Sequence, residues 1–396
     1  MRLIERPQYL DRLKRLVGTP DIKVITGVRR AGKSKLLEAF RSYLEGSVEG
    51  ANVISVDLSL LEFEELTEYH ALNDYVTSRH VGGVPNFVLI DEVQMCRGFE
   101  RAINSLHASG RYDIYVTGSN AFLLSSDLAT LFTGRTVSVK VFPFSLEEYC
   151  RYFEGEQIDE ALERYLRTGG MSGSYVYGDE RDRYGYLSGV YDTLILRDIV
   201  QRHGIRNPQL LGRLSDYMMD NVSNITSARS VADALTSSGT KTNDRTIASY
   251  MGYLEEAFAF YRVRRYDIRG KRYLSSGDKY YLSDHAFRYA KLGTRNMDFG
   301  RMLENVVAIE LLRRGYEVYA GVLYKKEVDF VAMRGSEKIY IQVSDDISSE
   351  ATFEREYAPL LSIRDAHPKV ILARTRHETY TYEGIGVHDL ARWLKG

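Results

Sequence analysis

The apolar positions of this chain fall first into short unbroken runs, each followed by residues at helical spacing. Ile22, Val24 and Ile25 lie in a run ending in Thr-Gly, which predicts a buried strand, and Leu36, Leu37 and Phe40 recur behind it at helical spacing. Phe87 to Ile90 form an apolar run followed by two acids, predicting a buried parallel strand that delivers carboxylates at its C-terminal end. A further strand is expected at 114–120, ending in small polar groups, and a β-rich run at 136–141. From Leu146 to about Arg206 the period becomes helical, with Leu162, Tyr165 and Leu166, then Tyr191, Leu194, Ile195 and Ile199.

Two amphipathic stretches then flank the polar turn Ser-Ser-Gly-Thr. One runs from Ser227 through Val231 and Leu235. The other opens at Thr242-Asn-Asp-Arg, a capping signal, and continues through Ile247, Met251 and Leu254. With the hairpin-like alternation of 262–282 around Ser275-Ser-Gly-Asp278, they outline a helix-turn-helix with a wing. Helix-strand-strand-helix-strand signals fill 300–396. The expected fold is α/β. A parallel-sheet core occupies 1–145, a helical lid or connector 146–206, a winged helix 207–283, and a second α/β domain 284–396.

Composition narrows the classes. A chain of 396 residues has room for two or three cores. With 53 basic and 54 acidic residues, any nucleic-acid contact has to come from a local patch. The two cysteines, Cys96 and Cys150, form no metal or disulfide pattern and suit a reducing compartment. The charged opening Met-Arg-Leu-Ile-Glu-Arg-Pro lacks the apolar core of a signal peptide, and no apolar window is long enough to span a bilayer. A cytoplasmic protein without a membrane partner is expected.

Gly27 to Ser34, Gly-Val-Arg-Arg-Ala-Gly-Lys-Ser, match the phosphate-binding pattern G-x-x-x-x-G-K-[ST] in the strand–loop–helix context that pattern requires. Backbone N–H groups of such a loop curl around phosphate, and the helix N-terminus adds its positive end. Gly27, Ala31, Gly32, Lys33, Ser34 and Lys35 are therefore candidate contacts to ATP or ADP. Arg29 and Arg30 are candidates too, with solvated loop charges as the alternative. Lys33 is expected at the β- and γ-phosphates, and the Ser34 hydroxyl on Mg²⁺. Asp91 is placed to hold Mg²⁺ through its water shell, and Glu92 to polarise the attacking water.

These motifs, with Thr-Gly-Ser-Asn-Ala-Phe-Leu-Leu-Ser, then Gly134-Arg135 and Phe142-Pro-Phe-Ser-Leu-Glu-Glu-Tyr149, resemble a family of prokaryotic AAA+ ATPases. Its members carry a C-terminal winged helix and a restriction-endonuclease-like tail. The resemblance implies that the strand ending at Asn120 lies between the two motif strands, with Asn120, or Ser119, touching the γ-phosphate or the water. A helix cap at this turn is the competing reading. It also implies an arginine finger at Arg135, completing a neighbouring subunit's site in a homo-oligomeric ring such as a hexamer. An arginine tethering its own loop is the alternative. Arg197-Asp198 resembles a pair common in the family, which implies a nucleotide sensor in the lid at Arg197; a structural pair at a domain junction is the alternative. Where the family often has Gly-Gly-Met-Pro, this chain has Gly169-Gly170-Met171-Ser172, which should loosen a turn.

Residues 262–291 hold nine basic residues against three acidic ones. Arg264, Arg265 and Arg272 are the candidate contacts to a DNA backbone. A protein-docking module with solvated arginines is the alternative. In the tail, Asp329 matches the Asp of the nuclease outline, but Gln342-Val-Ser344 stands where Glu-x-Lys is expected; Glu304, on a helix, and Asp329 alone could hold a hard cation weakly but lack the group that would activate water. The reading is a degenerate site without nuclease activity. Lys325, Lys326 and Lys338 lie outside the alternation that points Gln342 and Ser344 inward, or on another segment, and do not replace the missing lysine. The function expected is ATP hydrolysis by an oligomeric motor that binds or remodels DNA, branched DNA included. A slow nucleotide switch for a protein partner and an ATP-gated nuclease are the alternatives.

Overall fold

A computed structural model describes residues 4–118, 132, 134–270, 272–273, 277–293, 298–324 and 326–396. Ser119, Asn120, Leu131, Thr133, Lys271, Ser275, Ser276 and Lys325 lie outside the described residues. The chain divides into two compact units that meet in sequence between Val141 and Phe142.

In the first unit, five parallel strands run in the order β2-β3-β4-β1-β5. They are β1 (Ile22–Thr26), β2 (Asn52–Asp57), β3 (Asn86–Asp91), β4 (Asp113–Gly118) and β5 (Thr136–Lys140). β4 pairs with β1 on one side and β3 on the other, the central placement the resemblance implied. The helices are α1 (Pro7–Arg15), α2 (Lys33–Ser47), α3 (Tyr69–Ser78) and α4 (Phe99–Ala108). Central parallel strands are covered on both faces and therefore read as continuous apolar runs. Here Val24, Val56, Ile90 and Val116 pack with Leu72, Val76, Ile103 and Leu106 of α3 and α4. On the other face the Tyr115 ring lies 4.7 Å from that of Phe40 on α2. Lys23, wholly buried, donates there to Asp113 at 2.5 Å and to the Thr19 carbonyl at 2.6 Å.

The second unit opens with α5 (Leu146–Tyr152), capped by a reciprocal Ser145–Glu148 box, and α6 (Ile158–Thr168). α7 (Glu180–Thr193) runs on through a π-helical stretch, Leu194–Val200, that contains the exposed Arg197. Three helices follow, α8 (Pro208–Asp220), α9 (Ala228–Ser237) and α10 (Asp244–Glu256). Side chains of Ser227 and Asn243 cap α9 and α10, so both helices start at the polar signals read from the sequence.

A nine-stranded sheet occupies the rest, in the order β13-β14-β12-β11-β10-β9-β6-β7, with β8 on β6. Its strands are β6 (Phe260–Asp267), β7 (Arg272–Tyr273), β8 (Lys279–Leu282), β9 (Glu317–Leu323), β10 (Lys326–Arg334), β11 (Glu337–Ser344), β12 (Lys369–Ala373), β13 (Tyr380–Tyr382) and β14 (Ile385–Asp389). Its helices are α11 (Ala286–Leu292), α12 (Phe299–Arg313), α13 (Glu350–Leu361) and α14 (Leu390–Lys395).

The sequence reading differs here in two ways. The hairpin expected at 262–282 is one long strand, β6, whose first half pairs with β8 and whose last residues pair with β7. β9 was not anticipated; it ends two residues before β10, with Tyr324 at φ 56° after it. β6 also pairs in parallel with β9, Arg264 opposite Tyr319 through Asp267 opposite Val322. One sheet thus crosses the boundary drawn at residue 283.

The Gly-Gly-Met-Ser turn is held in spite of its missing proline. Asp284 accepts from the Gly170 N–H at 2.7 Å, and the Gly170 carbonyl accepts from the Phe144 N–H at 2.8 Å. A Cβ on Gly170 would stand 2.3 Å from the Phe144 carbonyl oxygen, so this close approach requires glycine.

Candidate functional site

The phosphate-binding pattern lies at the C-terminal end of β1, where an open parallel sheet presents its ligands. Gly27 has φ 145°, and a Cβ there would lie 2.0 Å from the Val141 carbonyl oxygen, so only glycine fits. Gly32, at φ 93°, is the residue before α2. Lys33 is buried, and its ammonium donates to the Gly27 and Val28 carbonyls at 2.8 and 3.1 Å. Arg6, also buried, donates to the Ala31 carbonyl at 2.8 Å, so residues ahead of α1 hold the loop from outside. Arg29 is half-buried, and Arg30 is exposed at φ 64°. Lys35 is exposed and pairs with Glu38 at 2.5 Å along α2.

β3 brings its acids to the same edge of the sheet. Asp91 is buried, and burial raises its pKa, opposed by hydrogen bonds from Ser34 and Thr117. The Ser34–Asp91 contact joins the two motifs directly. Thr117, fully buried, donates to Asp91 and accepts from the Glu92 N–H at 3.1 Å. One hydroxyl therefore fixes both acids. Glu92 has φ 51° and ψ 46°, a left-handed conformation that costs a non-glycine residue about 1–3 kcal/mol. Its carboxylate accepts from the Gln94 amide.

Arg135 is exposed. Its backbone is tied at both ends, to the Phe132 carbonyl at 3.1 Å and to the Ile22 N–H at 2.9 Å. Its guanidinium has no hydrogen bond or ion pair among the described residues, so the tethered-loop alternative finds no partner there.

Thr117 and Arg6 escaped the sequence reading. For Thr117 a signal existed. Ile114, Tyr115 and Val116 were read as a strand, and pairing it in parallel beside β3, Ile90 opposite Val116, brings Thr117 to the level of Asp91. Nothing local marks Arg6, which acts across 25 residues.

The carboxylates of the second unit meet in a cavity of about 850 Å³. Glu304 of α12 accepts from Lys279 at 2.9 Å and from the Tyr281 hydroxyl at 2.5 Å. Lys279 also pairs with Glu327. Burial and the neighbouring Glu304 hold the Asp329 carboxyl well above the usual range, opposed by Lys279 and the Val343 N–H. Burial alone would lower the Lys279 pKa, but Glu304, Asp329 and Glu327 raise it instead.

Gln342 accepts from the Asp329 N–H at 3.1 Å and donates to Glu356 at 3.0 Å. An amide can do both at once, whereas a carboxylate cannot donate. Ser344 donates to the Asp346 carbonyl at 3.1 Å. Lys338 lies over the Tyr266 and Tyr340 rings, and Lys326 lines the cavity. The lysine seated among the acids is Lys279, which the sequence reading had assigned to the basic wing.

Much of that wing's charge is spent internally. Arg262 pairs with Asp278 at 2.6 Å, Lys279 with the tail glutamates, Arg288 with Asp220 at 2.9 Å and Lys291 with Asp192 at 2.6 Å. Arg264 is exposed on β6 and Arg265 half-buried on its other face; Arg272 is described by its backbone alone.

Comparison with known proteins agrees with this architecture. An AAA domain family matches residues 19–150, and a domain of unknown function (DUF8612) matches residues 159–298. A Haemophilus influenzae protein named only as uncharacterized is 35% identical over 398 residues, covering 99% of this chain and 98% of that protein. The chain belongs to the family of that protein, and its first unit is a P-loop AAA+ core. A Methanocaldococcus jannaschii relative, uncharacterized protein MJ1544, is 27% identical and covers 85% of this chain and 77% of its own. Among solved structures, AMPPCP-bound DnaA from Aquifex aeolicus aligns at 18% identity and a TM-score of 0.32, covering 64% of this chain and 93% of that one. Drosophila ORC bound to AT-rich DNA and Cdc6 aligns at 10% identity and a TM-score of 0.26, covering 72% of this chain and 89% of that one. No described helix is long and apolar enough to cross a membrane.

Proposed function

We propose that the chain is an ATP hydrolase in which Lys33 holds the β- and γ-phosphates, Ser34 and Asp91 hold Mg²⁺, and Glu92 orients and deprotonates water. Gly27, Ala31 and Gly32 lend backbone to the phosphates, and Arg29 and Arg30 lie within reach as loop cations. One observation carries the reading: the Ser34–Asp91–Thr117–Glu92 hydrogen-bonded series joins the loop of β1 to the acids of β3. The Ser34 hydroxyl and Asp91 carboxylate so assembled would hold a hard divalent ion, which would supply charge to offset that of the phosphates.

The exposed Arg135 acts in trans, on the nucleotide of a neighbouring copy in a homo-oligomer, and Asn120, outside the described residues, is a further contact to the γ-phosphate or the attacking water. The residues from 207 to 283 form a winged helix whose exposed Arg264, with Arg265 and Arg272, meets a DNA backbone. The tail beyond is a restriction-endonuclease-like fold without cleavage activity. A second reading, a nucleotide switch acting on a protein partner, draws support from the ion pairs that consume Arg262, Lys279, Arg288 and Lys291.

Phosphate release by the full chain with Mg²⁺·ATP tests the hydrolase, alone and with linear or branched DNA. DNA-stimulated turnover supports the DNA-acting motor, and turnover indifferent to DNA supports the protein switch. Absence of ATP turnover under all of these conditions refutes the hydrolase.

A further inference from the structure

The hydrolase reading uses both acids of the Leu-Ile-Asp-Glu-Val-Gln run but gives no part to its last residue, Gln94. Gln94 is half-buried on the short helical turn Val93–Met95 that follows β3. That turn fixes Glu92 at three points. The Glu92 N–H donates to Thr117 at 3.1 Å, its carbonyl accepts from the Met95 N–H at 2.9 Å, and its carboxylate accepts from the Gln94 side chain. A carboxylate only accepts, so the NH₂ end of the Gln94 amide has to face it. The other end, Oε1, is out of solvent and has no hydrogen-bond partner among the described residues. Amide nitrogen and oxygen share one carbon, so this unfilled acceptor lies beside the Glu92 carboxylate. A buried acceptor is costly to leave empty, and a water molecule used in the reaction would fill this one.

We propose that Gln94 is a catalytic residue of the nucleotide site, the second of two acceptors, with Glu92, that aim the attacking water. The inference rests on the hydrolase reading above. In that reaction the water oxygen forms a bond to the γ-phosphorus while the bond from phosphorus to the β–γ bridging oxygen breaks, and the electron pair of that bond leaves with ADP. Glu92 takes one water proton. The other hydrogen, held by Gln94 Oε1 during the attack, stays on the released phosphate. A single acceptor would leave the water free to rotate about one hydrogen bond, whereas two turn its lone pair toward phosphorus. The amide NH₂ meanwhile keeps the Glu92 carboxylate in place.

The test is single-turnover hydrolysis of Mg²⁺·ATP by the full chain, beside binding of a fluorescent ATP analogue. Gln94→Ala is expected to hydrolyse ATP about 10²-fold more slowly or worse, with affinity for the analogue within about twofold of native. Gln94→Met keeps the stem but neither donor nor acceptor; it should match Gln94→Ala, and it decides the question should Gln94→Ala not fold. Adding Gln94→Ala to Glu92→Gln should slow the chain little further, because both residues act on one water. A role in packing alone would weaken binding instead, or multiply with the effect of Glu92→Gln, and either result overturns the proposal. Hydrolysis at the native rate by the folded variants overturns it too. So does faster hydrolysis, which would make the Gln94 contact a brake on Glu92. A native chain that hydrolyses no ATP removes the hydrolase reading and this role with it, whereas native turnover matched by Gln94→Ala removes the role of Gln94 alone.

Discussion

Thr117 offers the sharpest test of how the two acids of β3 are held. Replacing it with Val keeps shape and volume but removes a fully buried hydroxyl that donates to Asp91 and accepts from the Glu92 N–H at 3.1 Å. An orphaned buried N–H costs about 1–3 kcal/mol, and a lost hydrogen bond to a carboxylate about 1.5–3 kcal/mol. Relaxation and water entry recover part of each, so the expected loss is about 3 kcal/mol. For a unit of this size that is a fall of about 10 °C in Tm. The Asp91 carboxyl, already raised by burial, loses one of the two hydrogen bonds that oppose the shift, so its pKa should rise further. Binding of a fluorescent ATP analogue should consequently need more Mg²⁺, whereas Thr117→Ser should behave as the native chain. Scanning calorimetry and a Mg²⁺ titration read the two effects separately. Melting within 2 °C of native, with an unchanged Mg²⁺ requirement, would show that Thr117 does not organise the acids.

Three further outcomes are expected. Glu92→Gln should bind ATP and retain it, since an amide orients water but cannot accept its proton; single-turnover hydrolysis at the native rate refutes that role. Arg135→Ala should bind ATP normally yet hydrolyse it about 10³-fold more slowly, with partial recovery on mixing with Lys33→Ala subunits; no recovery between folded mutants excludes action in trans. Glu255 on α10 is raised by burial to about 7, so its stabilising proton is fully present below about pH 4.5 and is lost as pH rises through about 7. Glu255→Gln should therefore gain on the order of 2 kcal/mol relative to native at pH 8 and nothing at pH 4.5, a difference that parallel urea melts at the two pH values would expose.

What could be read from the sequence divides by the range of the interaction. β1, β3 and β4 were legible because central parallel strands leave unbroken apolar runs, and the phosphate loop because its glycines answer to local backbone geometry. Gly27 shows this plainly, with a carbonyl oxygen 2.0 Å from where its Cβ would be. Caps at Ser227 and Asn243 were legible for the same local reason. Lys279 was misread because charge counted along a segment ignores partners brought from elsewhere. Twenty-five residues separate it from Glu304 and the sheet closes that distance, turning a supposed surface cation into a buried one. β9 was missed, and its pairing with β6 has no local signature at all.

That pairing limits which motions a nucleotide could drive within the second unit. β6 is engaged on both sides, with four residue pairs registered against β9 and four against β8. If each pair contributes about one backbone hydrogen bond worth about 1 kcal/mol net, separating the wing strand from β9 alone costs about 4 kcal/mol before any side chain is moved. The Lys279–Glu304 and Lys279–Glu327 pairs add to that, since pulling β8 away would strand buried charges. Coupling between a ligand and a distant conformational change is typically about 1–3 kcal/mol. Separating β6 from β9 therefore costs more than a typical ligand coupling, and β6 holds with the tail strands as one sheet. The π-helical stretch Leu194–Val200 is the irregular place in the helices before that sheet where a change of register costs least.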